Sequence, residues 1–494
     1  MQSETATIRL TQPPLAQPLA GPWSRLAYGA AAILAIAGVF TCWCDTPMIW
    51  DGAYQFCFSL IQQKPYFYLT RFHSFVLWTP MVLLSHVTTN LRVLKMAYGL
   101  PFTLAPAASV LMSWWVVRRR APHLILWAIF GAAAAPLPGQ IFIINDSIFQ
   151  QHMFWPVFLG LLVPLEWPGM IALLVLAVFQ FSHQIGLVLL GGGAAAAALL
   201  ALGDREYRTQ FLIKACVAFA LAIVALWKIF HYPDSYAQRE FTWEAAHNAW
   251  RWGVEGYPLR GLELMWAAGG CVMLIRLLRE TPWEKHRPLL GILAALCAVA
   301  GAVIWIIWAA DAHKWTTAAN YRRWVVPLSV PFYFFAFLDQ FFKAGKTADL
   351  AHPPAVRVGY LMAATFAVVL SIQSVVWVHL TRRLMRDVET YPAAIVPWRT
   401  IAWTQDTALY HWGTASYVFV LEGQSPRHLV LDPEQTDSRK QFDILNQQPP
   451  AIPLSSFTAV KPTPGPAGWF DFTQMLKAID REDRVQKDRM QNAK

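Results

Sequence analysis

Residues 46–71 read TPMIWDGAYQFCFSLIQQKPYFYLTR, and the placement of this stretch decides the architecture. It follows the apolar run Leu26–Cys44, so Asp51 falls a few residues beyond the end of a segment long enough to span a bilayer. An aromatic amphipathic run and Lys64-Pro65-Tyr66 come next. Trp and Tyr at that depth anchor a chain at headgroup level, and anchoring alone explains the aromatics. An acid held at a bilayer surface beside cations also suits a reacting site. Both readings stand at this point.

Working outward, 56% of the chain is hydrophobic and 14% charged, against roughly 25% charged in soluble domains. Apolar runs lie at about 26–44, 93–117, 122–142, 148–165, 168–182, 184–202, 210–230, 259–278, 288–310, 324–342 and 357–379. Judged against the ~20 residues a membrane helix needs, they predict an all-α polytopic membrane protein with about 11 transmembrane helices. The first run is followed by Cys-Trp-Cys-Asp and has no small-residue cleavage site. It reads as a retained helix behind a cytoplasmic leader, 1–24.

Ser74–Val87 is shorter than a span and contains Pro80 and His86. If it crosses, Arg118-Arg119-Arg120 falls outside. If it lies flat, that triplet is cytoplasmic together with Arg205, Arg208, Arg276, Arg279, Lys285, Arg287, Lys343 and Lys346, as the positive-inside bias requires. The flat placement is therefore expected. The transmembrane domain is then 25–379, with a first outer loop at 45–92 carrying flat helices. Residues 380–494 form a small α+β outer domain, whose SYVFVLEG and RHLVLD pieces read as strands and whose end reads as a polar helix near 470–489.

The net charge of +10 belongs to short turns beside anionic headgroups and does not indicate nucleic acid. Cys216, Cys271 and Cys297 read as small core hydrophobes. Cys42 or Cys44 can pair with Cys57 if that face is oxidising. The small-residue run at 191–203 reads as a helix-packing surface.

Several residues carry candidate chemistry. Asp51 is a candidate general base. Asp146, in Asn145-Asp146-Ser147, is a second candidate, although an acid before an apolar run is also an ordinary helix cap. Lys64, Arg71, Arg322 and Arg323 fall in outer loops and suit phosphate; snorkelling explains the first two equally. Tyr54, His73, His152, His183, Lys314 and Tyr321 are candidates for lining a substrate cavity. Asp51, Asp146 and Asp311 can share a divalent ion such as Mg or Mn, and no cofactor is certain.

With these residues placed, the chain resembles the GT-C superfamily of polyprenyl-phosphate-sugar-dependent glycosyltransferases, which includes aminoarabinose transferases and protein mannosyltransferases. The similarity lies in Trp50-Asp51-Gly52 after the first span, Lys64-Pro65-Tyr66, Asn90-Leu91-Arg92 before the second span, and Arg118–Arg120 after it. It continues through Asn145-Asp146-Ser147 and Tyr321-Arg322-Arg323-Trp324. The resemblance implies Asp51 as base and Arg322 or Arg323 on the donor phosphate. It also implies a polyprenyl-phosphate-linked sugar as donor, a lipid or glycan acceptor, and a bacterial inner membrane with the C-terminal domain periplasmic. Many members have Asp-Glu where Gly52 follows Asp51 here. A lipid-linked sugar flippase and a non-catalytic envelope assembly factor are the alternative expectations.

Overall fold

The structure is a computed structural model. It describes residues 21–48, 51–63, 65, 72–134, 146–178, 180, 185–231, 257–278, 281–311, 325–342, 353–393, 395–406, 414–423, 425–430 and single positions between 475 and 485. It is mostly helical. Along the chain run α1 (Pro22–Trp43), α2 (Asp51–Gln62), α3 (Phe72–Ser85), α4 (Leu91–Thr103), α5 (Ala105–Val117), α6 (Ile125–Ala134), α7 (Asp146–Leu162) and α8 (Trp167–Val178). They are followed by α9 (Ile185–Gly203), α10 (Arg208–His231), α11 (Tyr257–Leu277), α12 (Arg287–Ala310), α13 (Val325–Phe341), α14 (Pro353–Glu389) and α15 (Thr414–Glu422). By length and composition, five helices among the described residues can cross a membrane, or six if the bent pair α4–α5 counts as one span. The five lie on α1, α9, α10, α12 and α14.

Helix α1 sets the frame. Pro22 at its first turn suits a helix start, and its stripe of small residues lets neighbours come close. A Cβ added at Gly38 would lie 2.3 Å from the Thr103 carbonyl. Long helix α14 runs parallel to α1. The Tyr360 hydroxyl donates to the Arg25 carbonyl (2.7 Å) near their starts, and Ser374 Oγ donates to Thr41 Oγ1 (3.3 Å) near the end of α1. Helix α5 returns antiparallel, with Tyr28 edge-on to Trp114. The bundle therefore has two ends. One is the face on which α1 begins; the other, on which α1 ends, carries the described residues after about 380.

The turns rich in Lys and Arg gather on the first of these. Arg119 pairs with Glu166 (3.0 Å) and Arg120 with the Tyr207 hydroxyl (3.2 Å). Arg276 lies over the Trp23 ring. Arg118–Arg120 therefore lie beside the start of α1. This end is called the basic face below, and the other the tail face. Between them, Lys214 of α10 donates to the Gly160 (2.8 Å) and Val163 carbonyls. It thereby satisfies acceptors that the end of α7 leaves open.

Among its described residues the tail departs from the sequence reading at 416–422. SYVFVLEG lies in helix α15, although its β-branched and aromatic residues read as a strand. Tyr417, Val418, Phe419 and Val420 are all buried. A segment enclosed on every side gains nothing from strand alternation, so packing overrides propensity. Leu429–Val430 does form a strand, pairing in parallel with Ile395–Val396. The described positions near 475–485 are helical.

The cysteine expectation is also corrected. None of Cys42, Cys44 and Cys57 is joined in a disulfide. The Cys42 thiol instead faces the Met96 carbonyl (3.7 Å), which directs it onto α4 and away from α2. Cys271 is buried, Cys297 half-buried and Cys216 exposed. Cys216 lies on the apolar outer surface of α10 with Val217 and Phe219, so it is not a core residue.

Candidate functional site on the tail face

The tail face is organised by the turn that ends α1. Cys42, Asp45 and Met48 tighten it through backbone hydrogen bonds from Asp45 N to the Cys42 carbonyl and from Met48 N to the Asp45 carbonyl. Asp45 adopts φ +60°, a left-handed conformation that Asp tolerates better than most residues. Its carboxylate accepts from Lys95 Nζ at 2.5 Å and lies 3.7 Å from the Arg92 guanidinium. Arg92 donates to the Trp43 carbonyl (2.6 Å) and stacks on the Trp43 ring. Two cations thus meet the negative end of the α1 dipole, with Asp45 balancing them. Asn90 begins α4 by accepting from the Arg92 and Val93 backbone N–H groups, and this aims both cations at that turn.

Asp51 is the first residue of α2. The apolar face of α2, with Ala53, Phe56, Cys57 and Leu60, is buried at the spacing of one helix side. Asp146 is the first residue of α7. An aromatic ladder connects the second turn of α2 with the start of α7. Phe56 is edge-on to Tyr98, Tyr98 stacks on Trp78, Trp78 stacks on Phe102, and Phe102 is edge-on to Phe149. The Tyr98 hydroxyl also donates to Gln55 Oε1 at 3.4 Å. The rungs come from α2, α4, α3 and α7. The backbones of Asp51 and Asp146 therefore stand at opposite ends of one rigid wall.

The other sequence candidates divide into two groups. His152 is buried (2% exposed), and its carbonyl accepts from Ser109 Oγ at 2.5 Å, so it packs between α7 and α5. Tyr54 lies in α2 and His73 in α3; their side chains, like those of Asp51 and Asp146, lie outside the described residues. Lys64, Arg71, His183, Lys314, Tyr321, Arg322 and Arg323 lie wholly outside them. Asp311 closes α12 as its C-cap. Among the described residues no group of three His, Cys, Asp or Glu side chains is arranged to hold a metal ion.

Asp45 and Lys95 were not singled out from sequence. A signal was present: Arg92 and Lys95 are three apart, on one side of a helix, and Asp45 directly follows the first apolar run. Tyr417 was also missed. It is buried, packed against Trp377 with the rings tilted by 35°, and close enough to Asp45 to feel its charge. Burial, first, and then the Asp45 charge push its phenol well above the usual tyrosine range. Through Tyr417, the tail is tied to the turn after α1. No family model matches the chain, and neither a curated protein nor a solved structure matches it.

Proposed function

We propose that this protein is a membrane glycosyltransferase that moves a sugar from a polyprenyl-phosphate carrier to a lipid or glycan acceptor at the tail face. In this reading the tail face is extracytoplasmic, the membrane is a bacterial inner membrane, and the chain crosses it eleven times. The observation that carries the proposal is the aromatic wall, which holds the helices beginning at Asp51 and Asp146 on one face next to the tail. The gathering of Arg118–Arg120, Arg205, Arg208, Arg276 and Arg287 at the opposite end supports the orientation, since basic turns stay cytoplasmic.

Asp51 acts as general base. It takes the proton of an acceptor hydroxyl as that oxygen attacks the anomeric carbon. The bond from that carbon to the phosphate oxygen breaks, and the polyprenyl phosphate leaves with the electron pair. Lys64, Arg71, Arg322 and Arg323 hold the departing phosphate. Asp146 orients the acceptor.

The test is Asp51→Asn in purified protein supplied with polyprenyl-phosphate sugars extracted from the source membrane. Turnover falls by about 10²–10⁴, the usual contribution of a positioned base, while donor binding stays within about twofold. Full turnover by the variant removes the assignment. Movement of lipid-linked sugar across vesicles, unaffected by the substitution, replaces it with transport.

A further inference from the structure

Helix α14 is 37 residues long, about 55 Å at 1.5 Å per residue, whereas a bilayer core is about 30 Å. Ser374 meets Thr41 near the end of α1, so residues 375–389 project beyond it as a post. One side of the post is covered. Trp377, Leu380, Leu384 and Val388 are buried, at helical spacing. Asp387 accepts from Trp403 Nε1 at 2.7 Å, and Arg383 stacks on that Trp403 ring.

The other side is left open in an unusual way. Arg382 and Arg386 stand one turn apart, both exposed, and neither pairs with a carboxylate among the described residues. Like charges at that spacing cost a helix a few tenths of a kcal/mol, so local stability does not account for them. They line a cavity of about 370 Å³ with Met385, Glu389, Thr390 and Leu421. That volume is at the lower end of the range for small-ligand sites, roughly 300–1,000 Å³.

The lining is graded. Two guanidiniums supply bidentate donors for a phosphate. The Glu389 carboxylate and the Thr390 hydroxyl oxygen, whose proton goes to the Arg386 carbonyl (2.8 Å), offer acceptors to hydroxyl groups beside it, and Met385 and Leu421 supply an apolar wall. We propose that this groove binds a phosphate monoester or diester flanked by hydroxyls, such as a sugar phosphate or the headgroup of a glycerol- or sugar-bearing phospholipid. Arg382 lies eight residues past Ser374, about 12 Å along the axis. The groove therefore sits at and just above headgroup level, within reach of a lipid-borne phosphate or a soluble one. This inference rests on the post alone and does not depend on the transfer reaction.

The test uses the full chain in nanodiscs of phosphatidylcholine. In one arm, glucose 1-phosphate is titrated and followed by calorimetry. In the other, phosphatidylglycerol is doped into the disc, and the lipid retained on the released protein is counted by native mass spectrometry. Arg382→Gln/Arg386→Gln lowers binding at least tenfold in one arm or both, and Arg383→Gln, whose side chain sits on Trp403, leaves it within twofold. Loss only in the lipid arm assigns the groove to a headgroup, and loss in the soluble arm assigns it to a free phosphate ester. Binding of both probes by the double variant as tightly as by the unaltered protein, or by neither protein at all, overturns the inference. Loss of turnover in Asp51→Asn alongside that result leaves the transfer reaction standing, and the converse leaves the groove.

Discussion

Each end of the bundle is tied by a carboxylate, and the two ties are built differently. At the basic face Asp339 of α13 is 1% exposed. It accepts from Arg276 Nε of α11 (2.8 Å) and Trp127 Nε1 of α6 (2.9 Å), with His123 Nε2 at 3.8 Å. Donors from separate segments converge on one buried acceptor. At the tail face Asp45 is 15% exposed at its side chain, leans on Lys95, and has the half-exposed Arg92 farther away. A sealed carboxylate can only hold helices together. A partly open one leaves cations, aromatics and a neighbouring phenol within reach of something arriving from outside. The difference teaches that the two ends are held in opposite ways, and that the tail face is the one whose charges are incompletely enclosed.

The largest effect separates the two ends outright. Asp339→Ala leaves the Arg276 guanidinium buried without its carboxylate, and breaking such a pair costs about 3–5 kcal/mol. The apparent melting temperature in detergent drops steeply. Asp339→Asn, which keeps the shape and one acceptor, falls less. If Asp339→Ala melts no lower than Asp45→Ala, the contrast between sealed and open ends is wrong.

A middle-sized effect sharpens the comparison, because only Asp45 combines an ion pair with an unusual backbone. Asp45→Ala loses the charge-assisted hydrogen bond to Lys95, worth about 1.5–3 kcal/mol. It must also hold φ +60° with a Cβ and no local polar group. Asp45→Gly loses the same bond but relaxes the left-handed turn, and should recover about 1 kcal/mol relative to Ala. Equal melting of the two variants would mean that the turn carries no strain.

Hydropathy made much of the fold legible and little of this contrast. The apolar runs at 184–202 and 288–310 coincide closely with α9 and α12, because burial in lipid is a property each residue contributes alone. The run at 357–379 was too short by a projecting post, since Arg382, Arg383 and Arg386 ended the apolar signal although the helix continued. The ties could not be read in the same way. Arg276 and Asp339 are 63 residues apart, and Asp45 and Lys95 are 50 apart. Such pairs depend on which helix faces follow one another in space. Tyr417 was hidden for a related reason: its segment alternates like a strand, and only the partners around it make it a helix.

The smallest effect tests whether the tail reads the state of the open end. Tyr417 is 3% exposed, and its phenol is pushed well above the usual range by burial and by Asp45. Unfolded tyrosine ionises near pH 10. The folded chain therefore binds more protons than the unfolded one above that pH, so stability is complete below about pH 10 and is lost as pH rises past it. Hydrogen exchange in α15 should accelerate sharply above about pH 10 while the backbone around Trp127 and Asp339 stays protected. Tyr417→Phe, which loses the phenol oxygen's hydrogen bonds with Thr381 and Trp377, removes most of that acceleration at a cost near neutral pH of about 0.5–1.5 kcal/mol. Lysines titrate in the same range, but they do so in both proteins, so the difference between the two curves isolates the phenol. Identical curves would mean that the tail is held to the turn after α1 by apolar packing alone, and the open end would then have no titrating link to the helix above it.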